Sequence, residues 1–246
     1  MELEKDERID DLQYKNLKII QNEKDFCFGI DAVLLSDFAK GIKDGAYVVD
    51  LCTGNGIIAI LLSGKTNAKK IVGVEIQEKI VKMANKSVEM NNIQERVKIL
   101  NCDLNDLKDK IMAGTVDAIT VNPPYKAKNS GLINERDSKT IARHEISCTL
   151  EDIILEAARE LKSSGSLYMI HKTERLVDIL YYMRKYKVEP KRIRFIHPNS
   201  NEAPNLVLIE GVRSGGKFLK VEKPLYVYKE NGEYTDEIKQ IYGMEK

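Results

Sequence analysis

The sequence predicts an α/β protein built on a mostly parallel sheet with helices on both faces. Three observations carry this. From Ala46 onward, short continuous apolar runs alternate with stretches of helical period, the pattern of βαβ units whose strands are buried on both faces. A glycine-rich turn, "DLCTGNG" (50–56), closes the first run and opens a helix. Acidic residues follow the first three runs at Asp50, Glu75 and Asp103, where an open α/β sheet binds its ligands.

In chain order, "LKIIQNEKDFCFG" (17–29) predicts two short strands around "NEKD", a hairpin. "DAVLLSDFA" predicts a helix with Asp31 as N-cap and Val33, Leu34 and Phe38 on its apolar face. "AYVVD", "KKIVGVE", "VKILN" and "VDAITV" predict strands, separated by helices over "IIAILLSG" and "IVKMANKSVEMNN". "TLEDIILEAARELKSSG" (149–165) predicts a helix capped by Thr149, with Glu151 and Asp152 in its first turn. "SLYMIHK", the helix "ERLVDILYYMRKY", "RIRFIHP" and "NLVLIEGVR" complete the pattern.

The totals exclude several classes. With 43% hydrophobic and 31% charged residues among 246, the chain is an ordinary globular one rather than a disordered one. No apolar run reaches the roughly 18 residues of a membrane span, and the acidic start "MELEKDERIDD" lacks the apolar stretch of a signal peptide. A cytoplasmic location is expected. Cys27, Cys52, Cys102 and Cys148 are scattered, with no CxxC pair, so neither a zinc site nor a disulfide framework is expected. Net charge is +1, yet residues 183–223 hold Lys or Arg at 184, 185, 187, 191, 192, 194, 213, 217, 220 and 223 against four Glu. Such a stretch suits a polyanion or a merely solvated surface. A single domain is expected, divided into an N-terminal hairpin and helix (1–44), a core (45–212) and a C-terminal extension (213–246).

The turn after the first run lacks both GxxxxGK[ST] and GxGxxG, so it is not the usual cradle for phosphates. Gly54 and Gly56 allow a sharp turn and close ligand approach, while Asp50 at the strand end suits a cationic, amino-acid-bearing nucleoside. Glu75 is placed to accept from ribose hydroxyls, and Asp103 from an adenine amino group. A solvated strand end at Glu75 and a helix cap at Asp103 are the competing readings. "VNPPY" (121–125) then sets two prolines where a buried strand runs out; neither can donate to a ladder.

In this order and spacing, "DLCTGNG", "GVEIQ", "NCD" and "NPPY" resemble a class I S-adenosylmethionine-dependent methyltransferase, over roughly residues 28–212. The resemblance implies a Rossmann-like fold: a mostly parallel seven-stranded sheet with an antiparallel last strand. Cys52 departs from the Gly usual in the family's first motif. The cofactor set it implies is Phe28, Asp31, Asp50, Cys52, Thr53, Gly54, Asn55, Gly56, Glu75, Ile76, Cys102, Asp103, Leu104 and Asn122. No metal is implied.

An Asn carbonyl beside the Pro123 carbonyl offers two acceptors to a planar NH2 group. Tyr125 stacks on its plane, so Asn122, Pro123 and Tyr125 form the expected catalytic set. Such a site works by positioning and electrostatics, with no covalent intermediate. NPPY resembles the motif of adenine-N6, release-factor glutamine-N5 and, more loosely, rRNA guanine-N2 methyltransferases. "FGIDAVLLSDFA" (28–39) is similar to the N-terminal helix of the tRNA1(Val) (adenine(37)-N6)-methyltransferases, which modify the adenine 3′ of the anticodon. By that resemblance Phe28, Gly29 and Asp31 help close the cofactor pocket. The 45 residues before Ala46 are too few for the helical domain of the glutamine enzymes. A tRNA partner is therefore expected, with Lys126, Lys128, Arg143, His144 and His197 as RNA contacts. A base at His144 is not required. A monomer is expected. A catalytically silent RNA-binding module is the alternative of another class, and the intact Asn122 and Tyr125 argue against it.

Overall fold

The computed structural model describes residues 3–22, 24, 28–124 and 148–244. Two short strands, β1 (Glu7–Asp11) and β2 (Lys18–Asn22), pair antiparallel with Ile9 opposite Ile20. Then follow α1 (Ile30–Phe38), β3 (Tyr47–Leu51), α2 (Ile57–Lys65), β4 (Lys70–Glu75), α3 (Glu78–Met90) and β5 (Val97–Asn101). A 3-10 turn (Leu104–Asp109) leads to β6 (Val116–Val121). The chain continues through α4 (Leu150–Glu160), β7 (Leu161–Lys172), α5 (Leu176–Lys185), β8 (Val188–His197) and β9 (Leu206–Arg213). Two-residue strands β10 (Lys220–Val221) and β11 (Leu225–Tyr226) and helix α6 (Asp236–Ile241) end it.

The sheet runs in the order β10-β8-β9-β7-β6-β3-β4-β5, with β11 also beside β8. Strands β3 to β7 are mutually parallel, and β9 is antiparallel to both β7 and β8. The seven expected strands are thus joined by two short ones, both parallel to β8 at the edge. Because β9 reverses direction twice over, β8 points the same way as the parallel core.

Period-two alternation divides the strands between two cores. Val48, Ile71, Ala118, Tyr168 and Ile170 face α1, α2 and α6. Val49, Val72, Ile119, Leu167 and Met169 face α4 and α5. The carboxyl ends of β3, β4 and β6 lie level, since Leu51 pairs with both Val74 and Val121.

Two points differ from expectation. The second strand expected after "NEKD" begins in residues 25–27, which lie outside the described residues; among the described residues β2 pairs with Glu7–Asp11. Its charged residues disguise it, yet as an edge strand it needs only a partner for its ladder. The helix expected over 149–165 has its capping box at Thr149 and Asp152 but stops at Glu160. Leu161 is drawn into the core, 3% exposed, opposite Val116, and Ser164 takes a left-handed φ of 67° as the chain loops to rejoin β6 at Ser166.

Candidate active site

The site is assembled where β3, β4, β5 and β6 end. The turn after β3 needs three successive departures from ordinary backbone: Cys52, Gly54 and Gly56 have φ of 55°, 55° and 86°. The left-handed region disfavours any side chain, which is the physical reason for a Gly where Cys52 stands. Burial, aided by Cys148, Glu75 and Asp50, pushes the Cys52 thiol well up, so it stays protonated and is no nucleophile. Asn55 is also buried; its Nδ2 donates to Gln21 Oε1 at 3.4 Å.

Asp50 was expected to meet the ligand. It has no exposed surface, and its two oxygens accept from the Thr53 and Thr120 hydroxyls. The carboxylate therefore fastens the turn to β3 and β6 from a fully buried position. Burial pushes its pKa up to about 7, opposed by the two hydroxyls. Thr53 in turn packs on Gly73 of β4, where a Cβ would come within 2.8 Å of its side chain.

Glu75, 6% exposed, closes β4. Its Oε2 accepts from Gly54 N at 3.1 Å and its Oε1 from Gln77 N at 2.9 Å. A carboxylate has about four acceptor positions, so capacity remains for hydroxyl donors. The same bond occupies the Gly54 N–H, which a phosphate-binding turn would have to leave for its anion. A Cβ on Gly54 would have nothing within 4 Å, so the backbone there borders open space. Beside Glu75, Ile76 is 40% exposed and supplies an apolar rim.

At the end of β5, Cys102 and Leu104 are buried. Asp103 caps the 3-10 turn: its Oδ1 accepts from Asn105 N at 2.9 Å and Asn105 Nδ2 at 3.0 Å. Capping and ligand contact are compatible, since a second oxygen belongs to the same carboxylate.

At the end of β6, Asn122 is half-buried, Pro123 buried and Pro124 exposed. Asn122 Nδ2 donates to Asp31 Oδ2 at 3.0 Å. Asp31 is not the N-cap of α1, which is Gly29; it lies in the first helical turn, 7% exposed. Its other oxygen accepts from Ala32 N at 3.0 Å. Phe28 N donates to Gln21 Oε1 at 2.9 Å. Gln21, 2% exposed on β2, thus ties the hairpin to the glycine turn and to the segment leading into α1. Sequence reasoning missed it. The available signal was a glutamine within the apolar run "KIIQN", since a buried amide must find partners.

Tyr125, Lys126, Lys128, Arg143 and His144 lie outside the described residues. His197 ends β8 on the same edge of the sheet as Asn122, but three strands away, roughly 14 Å by ordinary strand spacing. Its Nδ1 pairs with Glu202 O at 2.8 Å and its ring meets Tyr226 at 5.1 Å. The basic stretch around it is largely engaged within the protein. Arg184, Lys185, Arg192 and Arg194 form ion pairs, and Lys191 and Arg213 hold main-chain carbonyls.

The strand order and the level ends of β3, β4 and β6 bring the glycine turn, Glu75 and Asn122 to one edge of a Rossmann-like sheet. The model of the methyltransferase small domain matches residues 29–180, more than half of the chain. The chain belongs to that family. A curated relative from Porphyromonas gingivalis, named tRNA1(Val) (adenine(37)-N6)-methyltransferase, is 27% identical over 206 residues, covering 82% of this chain and 80% of its own. One of the same name from Pedobacter heparinus is 27% identical over 230 residues, covering 93% and 94%. Among solved structures, a predicted O-methyltransferase from Agrobacterium tumefaciens superposes with a TM-score of 0.69 at 18% identity, covering 86% of this chain and 95% of its own. That likeness speaks for the fold alone. Among the described residues, no helix is long and apolar enough to cross a membrane.

Proposed function

We propose that the protein transfers a methyl group from S-adenosylmethionine to N6 of an adenine in tRNA, at the position 3′ of the anticodon. The observation that carries this is the Asn122 carboxamide, fixed by Asp31 at the end of β6, on the sheet edge that also bears the glycine turn and Glu75. The name shared by the curated relatives supports the choice of adenine and tRNA.

The turn fits the cofactor: open space over Gly54, a carboxylate positioned for ribose hydroxyls, and no N–H at Gly54 left for a phosphate. When bound, that group supplies an electrophilic methyl on a sulfonium. Glu75 holds the ribose side, Asp103 the adenine amino group and Ile76 the flat of the ring. Asn122 Oδ1 and Pro123 O accept the two hydrogens of the substrate amine. An exocyclic amine is a weak nucleophile because its lone pair is delocalised into the ring. Accepting both hydrogens returns density to nitrogen and points the lone pair at the methyl, a positioning and electrostatic effect. The role expected of Tyr125, from its place in the motif, is to stack on the base. An adenine in an anticodon loop is already single-stranded, so presenting it costs little.

The test is incubation with labelled S-adenosylmethionine and unmodified total tRNA, with release factor and rRNA in parallel, followed by digestion. Label in N6-methyladenosine is expected. Label confined to glutamine or to guanine N2 rejects the reading.

A further inference from the structure

Resting on that reading of the site, we propose that Asp31 is the positioning residue that fixes which atom of the Asn122 carboxamide meets the substrate amine. A carboxamide turned by 180° keeps its shape but exchanges an acceptor for a donor. In one orientation Asn122 accepts an amine hydrogen; in the other its own NH2 opposes the substrate's.

Asp31 makes the selection. An ionised carboxylate has only acceptors, so at 3.0 Å from Asp31 Oδ2 only the Asn122 nitrogen can sit. The carbonyl oxygen is thereby turned to the opposite side of the amide. The position of the carboxylate is fixed in its own right. Asp31 is 7% exposed, its Oδ1 accepts from Ala32 N at 3.0 Å, and it occupies the first turn of α1, where the helix end favours negative charge. Gly29 leaves it room: a Cβ there would lie 2.8 Å from Asp31 Oδ1. Helix α1 is itself anchored, with seven of its nine residues buried and the Phe38 carbonyl accepting from Arg192 Nη2 at 3.0 Å. One oxygen accepts from the helix and the other from Asn122. The consequence is chemical selectivity: a site locked into presenting acceptors suits a substrate that donates two hydrogens and disfavours one that presents only lone pairs.

The experiment exchanges the pair. Asp31→Asn lets two amides pair in either sense. Turnover should fall about ten- to hundredfold, as for other small misplacements of a reacting group. Asn122→Asp sets two carboxylates face to face, so its melting temperature at pH 8 should drop. The exchanged variant, Asp31→Asn with Asn122→Asp, restores one donor against one acceptor and still offers an acceptor to the amine. It should recover most of the lost melting temperature and be more active than either single variant. Asp31→Asn with unchanged turnover overturns the proposal, as does an exchanged variant whose loss in melting temperature is the sum of the two single losses. A wild-type protein inactive on tRNA overturns the functional reading instead, while the thermal measurements still decide the role of Asp31.

Discussion

Glu75→Gln tests the division of labour at the carboxyl edge most directly. Both Glu75 oxygens accept from the backbone, from Gly54 N at 3.1 Å and Gln77 N at 2.9 Å. Glutamine keeps the shape but has one acceptor oxygen, so one of these N–H groups must face an NH2. A hydrogen bond to a charged group contributes about 1.5–3 kcal/mol, and a buried donor left unmatched costs a similar amount. Stability should therefore fall by about 2 kcal/mol. The ribose hydroxyls lose a charged acceptor as well, and the same range corresponds to about a ten- to 150-fold weaker Kd. Titration calorimetry with S-adenosylhomocysteine reads the second effect, and urea unfolding without ligand reads the first. A variant that unfolds earlier yet binds within twofold of wild type would refute the ribose role and leave Glu75 as a brace for the turn. Weaker binding with unchanged stability would show that the two backbone bonds are not what holds the turn.

Gly73→Ala forces a Cβ to within 2.8 Å of the Thr53 side chain and 3.0 Å of Ile99 Cδ1; overpacking of this kind costs about 1–3 kcal/mol, read as a lower melting temperature. Gly29→Ala forces the Asp31 carboxylate, 2.8 Å from the new Cβ, to shift; by displacing it from Asn122 it should lower the melting temperature and reduce turnover about tenfold. Asp50 has a folded pKa of about 7 against an ordinary 3.8, so between those values the folded state holds a proton that the unfolded state has lost. Its contribution to stability is greatest below about pH 4 and declines as pH rises through about 7. Asp50→Asn should remove that slope. The comparison is the difference between variant and wild type in urea at pH 5 and pH 8, which cancels the opposite effect of His171, whose pKa burial lowers to about 4.

What could be read from the sequence was local in origin. The alternation of runs 46–121 follows from strands buried on both faces, and the glycine turn from backbone that must pass through positive φ. The strand end at Asn122 follows from prolines that cannot join a ladder. Each is decided by residues adjacent in the chain. What escaped depends on partners far apart in sequence. Pairing of Glu7–Asp11 with β2 is invisible to composition, since its charged side chains resemble a solvated tail. The run of cations after Met183 suggested a polyanion surface, yet several of them close ion pairs with Glu151, Glu189, Glu210 and Glu237.

The same distinction bears on Asp50 and Asp31, both expected in the cofactor set and Asp31 also as an N-cap. Asp50 ends a strand beside two glycines, the usual sign of a carboxylate offered to a ligand, but Thr53 and Thr120 consume it from three and seventy residues away. Asp31 opens a helix, the usual sign of a cap, but Gly29 does the capping and Asp31 spans ninety-one residues to Asn122. A carboxylate's role follows from which donors reach its two oxygens. At this sheet edge the buried acid holds the turn's shape, and the acid of the N-terminal helix holds the Asn122 amide at the end of β6. An acidic side chain near a strand end is therefore a guide to where the site lies, and only its partners say whether it binds, braces or aims.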